Sequence, residues 1–310
     1  MISEFSLIDK FFKQKKHLNE HTHLGIGDDC ALLSIPTGYE LAITTDTMVE
    51  NVHFFADADP AQLGHKLLAV NLSDLAAMGA KPISVTLALT LPRVDENWLR
   101  QFSNGFLDLA TQFSVDLIGG DTTQGALTLT VQAMGIVPKR QALKRSTAQI
   151  GDAIFMTGNL GDAGLGLKIK QGYRYEDAQA ALERFHTPMP QIDTGLALRG
   201  VASACIDISD GLLSDLGHIL KQSGVGAYIE WEKLPLSSPV KAYIAQTGDT
   251  LMPLISGDDY ELCFTVPKQI AHCVPDNCTQ IGTIEAQLGL RLLKAGHIET
   301  LTATGYEHFS

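Results

Sequence analysis

Cysteine is scarce in this sequence and forms no recognisable pattern. Cys30, Cys205, Cys263, Cys273 and Cys278 are odd in number and contain no CxxC pair. That usage excludes a disulfide framework and a thiolate zinc site, and it suits a reducing cytoplasm. Basic residues are also few: 23 Lys and Arg against 35 Asp and Glu leave a net charge of −12, and no basic cluster exceeds the short run Lys13–Lys16. Gripping phosphates along a nucleic acid needs a basic surface, so no nucleic-acid partner is expected. Long apolar runs are missing too. None approaches the ~20 residues of a membrane span, and residues 1–16 lack the order of charge, apolar stretch and cleavage site that marks a signal peptide. A cytoplasmic location with no membrane partner is expected. Neither GxxxxGK[ST] nor a kinase-type catalytic Asp loop is present, which disfavours the familiar nucleotide-binding folds.

What is present is ample apolar material. The 310 residues are 45% hydrophobic and 19% charged, enough to bury two cores at roughly 150 residues per domain. In the first half the periodicity predicts an amphipathic helix over 4–16, with Phe5, Ile8, Phe11 and Phe12 on one face. A strand over 41–47 follows, then a helix capped by Asp59 with Pro60 at its first position and stopped at Gly79. A strand over 83–91, a helix from Asp95 to about Phe113, and strands over 115–118 and 127–137 complete this half. We read the order as β–α–β–β–α–β-like, a mixed sheet with helices on one face. Residues 138–151 read as a linker. Beyond it a second α/β unit is expected: strands over 152–157 and 205–208, helices over 161–170, 175–185 and 193–202, and a helix to Gln222 capped by Ser209 or Asp210. The expected domains are 1–138 and 139–310.

The chemistry lies in the acids. Six segments embed aspartate among Gly, Ser, Thr and apolar residues: GIGDD (25–29), TTDT (44–47), NLSD (71–74), GGDTT (119–123), DISDG (207–211) and SGDDY (256–260). An aspartate inside an apolar helix such as NLSDLAAMGA is costly unless something cationic compensates. Two carboxylates ~4 Å apart repel by roughly 4 kcal/mol at an effective dielectric near 20. If several segments converge, a divalent metal is the natural compensation, and an all-oxygen ligand set selects magnesium or calcium over zinc. Gly119-Gly120 and Gly158–Gly161 are read as turns suited to close approach to phosphate. Singly, each segment also fits a plain turn or helix cap. Together they read as a magnesium-dependent phosphoryl-transfer enzyme.

These strings, with KLLAVNLSDLAAMGAKP, LIGGDTTQGALTLT, GDAIFMTGNLGDAGLGL, DISDGLLSDLGHIL and SGDDYELCFTVP in this order, resemble the thiamine-monophosphate kinase family. That family belongs to the superfamily that includes aminoimidazole ribonucleotide synthetase and selenophosphate synthetase. The resemblance implies a two-domain aminoimidazole ribonucleotide synthetase-like fold of α/β class with α+β character. Its N-terminal mixed sheet would pair across a homodimer, beside a C-terminal α/β domain. It implies ATP-dependent phosphorylation of thiamine monophosphate to thiamine diphosphate, with several Mg²⁺ ions and ATP as co-substrate. By position it implies metal ligands at Asp29, Thr44, Thr45, Asp46, Asp74, Asp121, Asp207 and Asp210. ATP contacts fall on Gly120, Asp121, Arg145 and Ser209, and thiamine phosphate contacts on His53, Asp258 and Tyr306. No general base is required, because the attacking phosphate oxygen is already ionised. Two positions depart from the family pattern: Ser256 replaces a common Gly and is expected to narrow its turn, and Arg140 stands where Gly often follows Val-Pro. The alternatives are another ATP-dependent enzyme of the superfamily, of selenophosphate or aminoimidazole ribonucleotide synthetase type, and a non-catalytic nucleotide- or cation-binding regulator.

Overall fold

The computed structural model describes residues 4–13, 18–176, 178–302 and 305–306. The chain divides into two compact units, one of residues up to Leu75 together with Ala80–Arg140, the other of Ala76–Gly79 together with Gln141 onward. Among the described residues no helix is long and apolar enough to cross a membrane.

The first unit runs α1 (Glu4–Phe11), β1 (Thr22–Leu24), β2 (Leu32–Leu33), β3 (Tyr39–Val49), α2 (Pro60–Ala77), β4 (Lys81–Leu91), α3 (Glu96–Gln112), β5 (Asp116–Gln124) and β6 (Thr128–Pro138). From β3 onward the order is β–α–β–α–β–β, which corrects the β–α–β–β–α–β reading. Its main sheet has the order β3-β6-β4-β5. β4 and β5 run parallel and the other pairs antiparallel. The sheet is mixed, as expected, because α3 returns the chain between two parallel neighbours while β5 and β6 follow one another directly. Helix starts obey their caps. Asp59 Oδ1 accepts the N–H groups of Ala61 and Gln62, and Asp95 Oδ1 those of Asn97 and Trp98. α1 stops at Phe11, shorter than predicted, and buries Leu7 and Phe11, with Phe12 buried just beyond its end; residues 14–16 of the predicted helix lie outside the described residues. The 119–120 turn is overturned: both glycines lie inside β5, where a Cβ on Gly120 would sit 1.8 Å from the Leu87 carbonyl oxygen. Glycine there permits strand contact rather than a bend.

The second unit runs β7 (Ala153–Thr157), α4 (Asp162–Lys170), α5 (Gln179–His186), α6 (Ile192–Ala197), β8 (Ala204–Asp207), α7 (Leu212–Ser223), β9 (Gly226–Glu230), α8 (Ser238–Thr247), α9 (Met252–Ile255), β10 (Leu262–Val266), β11 (Cys278–Glu285), β12 (Gly289–Lys294) and β13 (His297–Leu301). The strands form one sheet of order β13-β12-β9-β11-β7-β10-β8. One face buries Met156, Ile206, Cys263 and Ile284 in a continuous core with Leu212, Leu216 and Ile219 of α7. The sheet places β8 at an edge, so the segment leaving its C-terminal end is free to form a functional loop.

Candidate active site

The sequence-predicted residues fall into three groups. In the first unit, β3 alternation sets Thr44 and Asp46 on one face and Thr45 and Thr47 on the other. α2 offers Asn71 and Asp74, three residues apart and therefore on one side of the helix. The Thr44 hydroxyl donates to Asp74 Oδ2, and the Asp46 N–H donates to Asn71 Oδ1 at 3.2 Å. Asn71 is held in turn by donating to the Leu67 carbonyl at 3.0 Å. Strand and helix are thereby stitched at the place where the two carboxylates sit. Burial, and then the neighbouring Asp74 charge, push the Asp46 carboxyl up to about 7. Burial and a nearby like charge both disfavour the ionised form. Asn71 was not singled out in the sequence reading, although an amide one helical turn before a buried aspartate is a legible signal.

The second group lines a cavity of about 920 Å³ in the same unit, where Asp28, Asp29, Gly120, Asp121, Thr86 and Gln132 contribute to the wall. Thr45 belongs to this side: Gln132 Nε2 approaches its hydroxyl at 3.5 Å. The three oxygens expected together at 44–46 are therefore divided between two faces of the strand. His53 stands on the segment after β3, where its Nδ1 accepts the Val49 N–H at 3.0 Å.

The third group is in the second unit. Asp207 ends β8, and Ser209, Asp210 and Gly211 form the turn into α7. Neither Ser209 nor Asp210 caps that helix. Gly211 is the cap residue with no side-chain bond of its own. The N–H groups of Ser209, Asp210 and Gly211 instead converge on Asp215 Oδ2 at 2.9, 3.0 and 3.2 Å. Burial pushes the Asp215 carboxyl up to about 7 against the pull of those N–H groups. The carbonyl of Ser209 accepts the Asp258 N–H at 2.9 Å, and that of Asp210 accepts the Tyr306 N–H at 3.2 Å. The segments of Asp258 and Tyr306 are thus tied by their backbones to the turn that carries Ser209 and Asp210. Arg145 is exposed in the segment between β6 and β7 and lies close enough to act electrostatically on Cys205.

Within SGDDY the two aspartates have opposite surroundings. Asp258 is half-buried with φ 68° and accepts the Tyr260 hydroxyl at 3.0 Å. Asp259 is buried, and its oxygens accept the Gly161 and Ala163 N–H groups at 2.7 and 3.2 Å at the start of α4. Burial drives its carboxyl up to about 8. Next to it, buried Glu261 accepts the Thr157 hydroxyl at 2.5 Å and pairs with Arg184. The donors at the start of α4 are thus satisfied by Asp259, and Gly158 exists there to admit Glu261, whose carboxylate would lie 2.1 Å from an added Cβ. Ser256 does not narrow its turn. It ends α9 at φ −76°, an ordinary value, and its hydroxyl donates to the Met252 carbonyl at 2.7 Å.

Among the described residues no group of three or more His, Cys, Asp or Glu side chains is gathered into a preformed metal cage. The Asp46–Asp74 pair nevertheless fits a hard divalent ion. Its donors are all oxygen, and its mutual repulsion is what such an ion relieves. A sparse protein shell is also the usual mode for magnesium, which shares its coordination with water and substrate phosphates.

Two family models match in tandem: AIR synthase related protein, N-terminal domain, over residues 27–137, and AIR synthase related protein, C-terminal domain, over residues 149–292. They define the class, that of AIR synthase related proteins. Within it, the chain is 45% identical to the thiamine-monophosphate kinase of Haemophilus influenzae across 99% of its own length and 98% of that protein. It is similar to the solved thiamine-monophosphate kinase of Stenotrophomonas maltophilia K279a at a TM-score of 0.84 and 40% identity, covering 94% of this chain and 96% of that one. A second solved structure, AaThiL complexed with AMPPCP and TMP, matches at a TM-score of 0.79 and 31% identity, covering 99% and 97%. The chain belongs to the thiamine-monophosphate kinase family and is a kinase.

Proposed function

We infer that the chain transfers the γ-phosphoryl group of ATP to the phosphate of thiamine monophosphate, giving ADP and thiamine diphosphate. The observation that carries this reading is its end-to-end similarity to thiamine-monophosphate kinases. In the reaction a terminal phosphate oxygen of the acceptor forms a bond to the γ-phosphorus, and the bond from that phosphorus to the β–γ bridging oxygen breaks. The nucleophile is already an anion, so no side chain needs to remove a proton, and catalysis rests on positioning and charge.

We assign the roles of the chain's residues from the family resemblance, and their places in the two units support the grouping. Asp46 and Asp74, with Thr44, are the pair that would hold Mg²⁺ in the first unit, Asp29, Asp121 and the Thr45 side would serve the cavity, and Asp207 and Asp210 the loop after β8. Bound magnesium supplies neutralisation of the ATP phosphates and of the incoming anion. Gly120, Asp121, Arg145 and Ser209 are assigned to the nucleotide, and His53, Asp258 and Tyr306 to thiamine monophosphate. Asp258 is suited to a cationic acceptor because it is a half-buried carboxylate oriented by the Tyr260 hydroxyl. We also propose a cytoplasmic homodimer, on the exposed outer strand of the first unit's sheet.

The test is an ADP-release assay with purified chain, Mg²⁺ and ATP. Offered the substrates of the superfamily one at a time, the chain is expected to turn over thiamine monophosphate alone, with thiamine diphosphate as product. A chiral γ-phosphorus is expected to invert. ADP formed with a sister enzyme's substrate would overturn the reading, and no ADP with any acceptor would leave a binding regulator.

A further inference from the structure

The turn from β8 into α7 hydrogen-bonds in two directions. Its N–H groups point inward: Ser209, Asp210 and Gly211 all donate to one oxygen of Asp215. Successive N–H groups that converge in this way form a concavity that receives an anion, and here the anion is a side chain of the same protein. Its carbonyls point the other way. Ile208 accepts the Tyr260 N–H at 2.8 Å, Ser209 accepts that of Asp258, and Asp210 accepts that of Tyr306. Gly211, at φ 111°, permits the turn, and a Cβ there would press to 2.7 Å on the Ile255 carbonyl oxygen. Asp215 is only 2% exposed and lies on α7 among Leu212, Leu213, Leu216 and Ile219. It is too deep to touch a ligand.

We propose that Asp215 is a positioning residue that sets the Ser209–Gly211 turn and, through that turn's carbonyls, aligns the nucleotide-binding and acceptor-binding segments of the second unit with each other. The proposal rests on the functional reading above, which assigns Ser209 and Asp210 to the nucleotide and its ion, and Asp258 and Tyr306 to the acceptor. A carboxylate in the first turn of a helix also stabilises that helix by offsetting its dipole. A purely structural role of that kind changes melting temperature alone. Positioning changes both ligands at once, because one turn carries both contacts.

The experiment compares the full-length wild type with Asp215→Ala and Asp215→Asn. The readouts are melting temperature, calorimetric affinity for AMPPCP with Mg²⁺, calorimetric affinity for thiamine monophosphate, and kcat and KM per folded molecule. Asp215→Ala is expected to lower kcat on the order of 100-fold, the scale of a misplacement of about 1 Å, and to weaken both ligands. Asp215→Asn keeps an acceptor oxygen but loses the charge-assisted bonds, which are roughly twice as strong as neutral ones, so it is expected to fall between wild type and alanine. If the alanine variant does not fold, the asparagine variant decides, since it preserves shape. A folded variant with a lower melting temperature but unchanged kcat and unchanged affinities would overturn the proposal. So would loss of one ligand alone. A wild type that binds AMPPCP yet makes no thiamine diphosphate would sink the functional reading, and the two affinity measurements would still decide whether Asp215 shapes the turn.

Discussion

Asp74 shows how a single carboxylate can be read before and after folding. The sequence places it in an apolar helix with nothing cationic nearby, and the structure sets it beside Thr44 and Asp46, where its charge adds to the larger effect of burial in raising the Asp46 carboxyl. Asp74→Asn removes the like charge while keeping an acceptor for the Thr44 hydroxyl. The metal-free melting temperature is expected to rise, the stabilisation by Mg²⁺ to shrink, and turnover to vanish; a lower metal-free melting temperature would contradict the paired-acid account. Thr45 was less legible, because three consecutive oxygen-bearing residues look like one ligand set until strand alternation sends the middle one to the other face. Asp258 and Asp259 pose a similar problem, and only folding separates them, by burial and by hydrogen-bond partners. Asp259 also gives a pH prediction. Its carboxyl stands near 8 when folded and at 3.8 as an unperturbed group, so the folded chain keeps a proton that the unfolded chain releases. Stability from this group is therefore lost as pH rises from about 4 to about 8. Asp259→Asn is expected to flatten the profile of stability against pH over that window, by at most about 1.4 kcal/mol per pH unit. A slope in chemical denaturation as steep as the wild type's would refute this.

At the scale of elements, the parts that obey local rules were readable. The Asp59–Pro60 and Asp95 helix starts, and the strand that follows Gly79, are legible from capping and turn chemistry that tertiary contacts do not override. Gly119-Gly120 was misread because paired glycines ordinarily mean a turn, whereas here the missing side chain lets β5 lie against the Leu87 backbone. The turn into α7 was misread for a related reason: Asp210 has the chemistry of a cap, but the carboxylate that satisfies the local N–H groups sits four residues later than Gly211. Glycine also governs the packing of α2 on α3. A Cβ on Gly64 would lie 2.2 Å from the Phe102 carbonyl oxygen, and one on Gly105 would lie 1.9 Å from that of Ala61. The two helices meet backbone to backbone, with Phe102 and Phe106 buried beside the crossing. Gly105→Ala must push them apart, at a cost of about 1–3 kcal/mol for overpacking. Since α2 carries Asn71 and Asp74, the half-saturating Mg²⁺ concentration is expected to rise with the loss of stability. A variant with wild-type melting and wild-type Mg²⁺ dependence would show that the contact relaxes freely.

For the molecule as a whole, the decisive feature is the outer strand of the first unit. β3 is eleven residues long and ends its sheet, and among the described residues no strand pairs with its outer edge. Its exposed face carries Leu41 at 40% and Ile43 at 56% exposure, with Tyr39 at the strand's start 38% exposed. Natural proteins blunt long edge strands with charge, proline or a covering element, because an open apolar edge pairs with another chain. β3 has none of these between Leu41 and Met48 apart from Asp46, whose half-buried carboxyl feels the Asp74 charge on α2. The sequence displayed the alternation that makes β3 a strand but not its place at the sheet's border, which depends on β6 inserting between β3 and β4. A second copy laid along this edge would cover the apolar face and complete the ladder. The wild type is expected to sediment at micromolar concentration as a dimer, and Ile43→Lys to shift it to a monomer, since each association would then bury two unpaired charges. Asp46 is on the same strand, so the monomeric variant is expected to lose Mg²⁺-dependent turnover out of proportion to its melting temperature. A wild type that sediments as a monomer would mean that β3 remains an open edge in solution, and the apolar face from Leu41 to Ile43 would then need another partner.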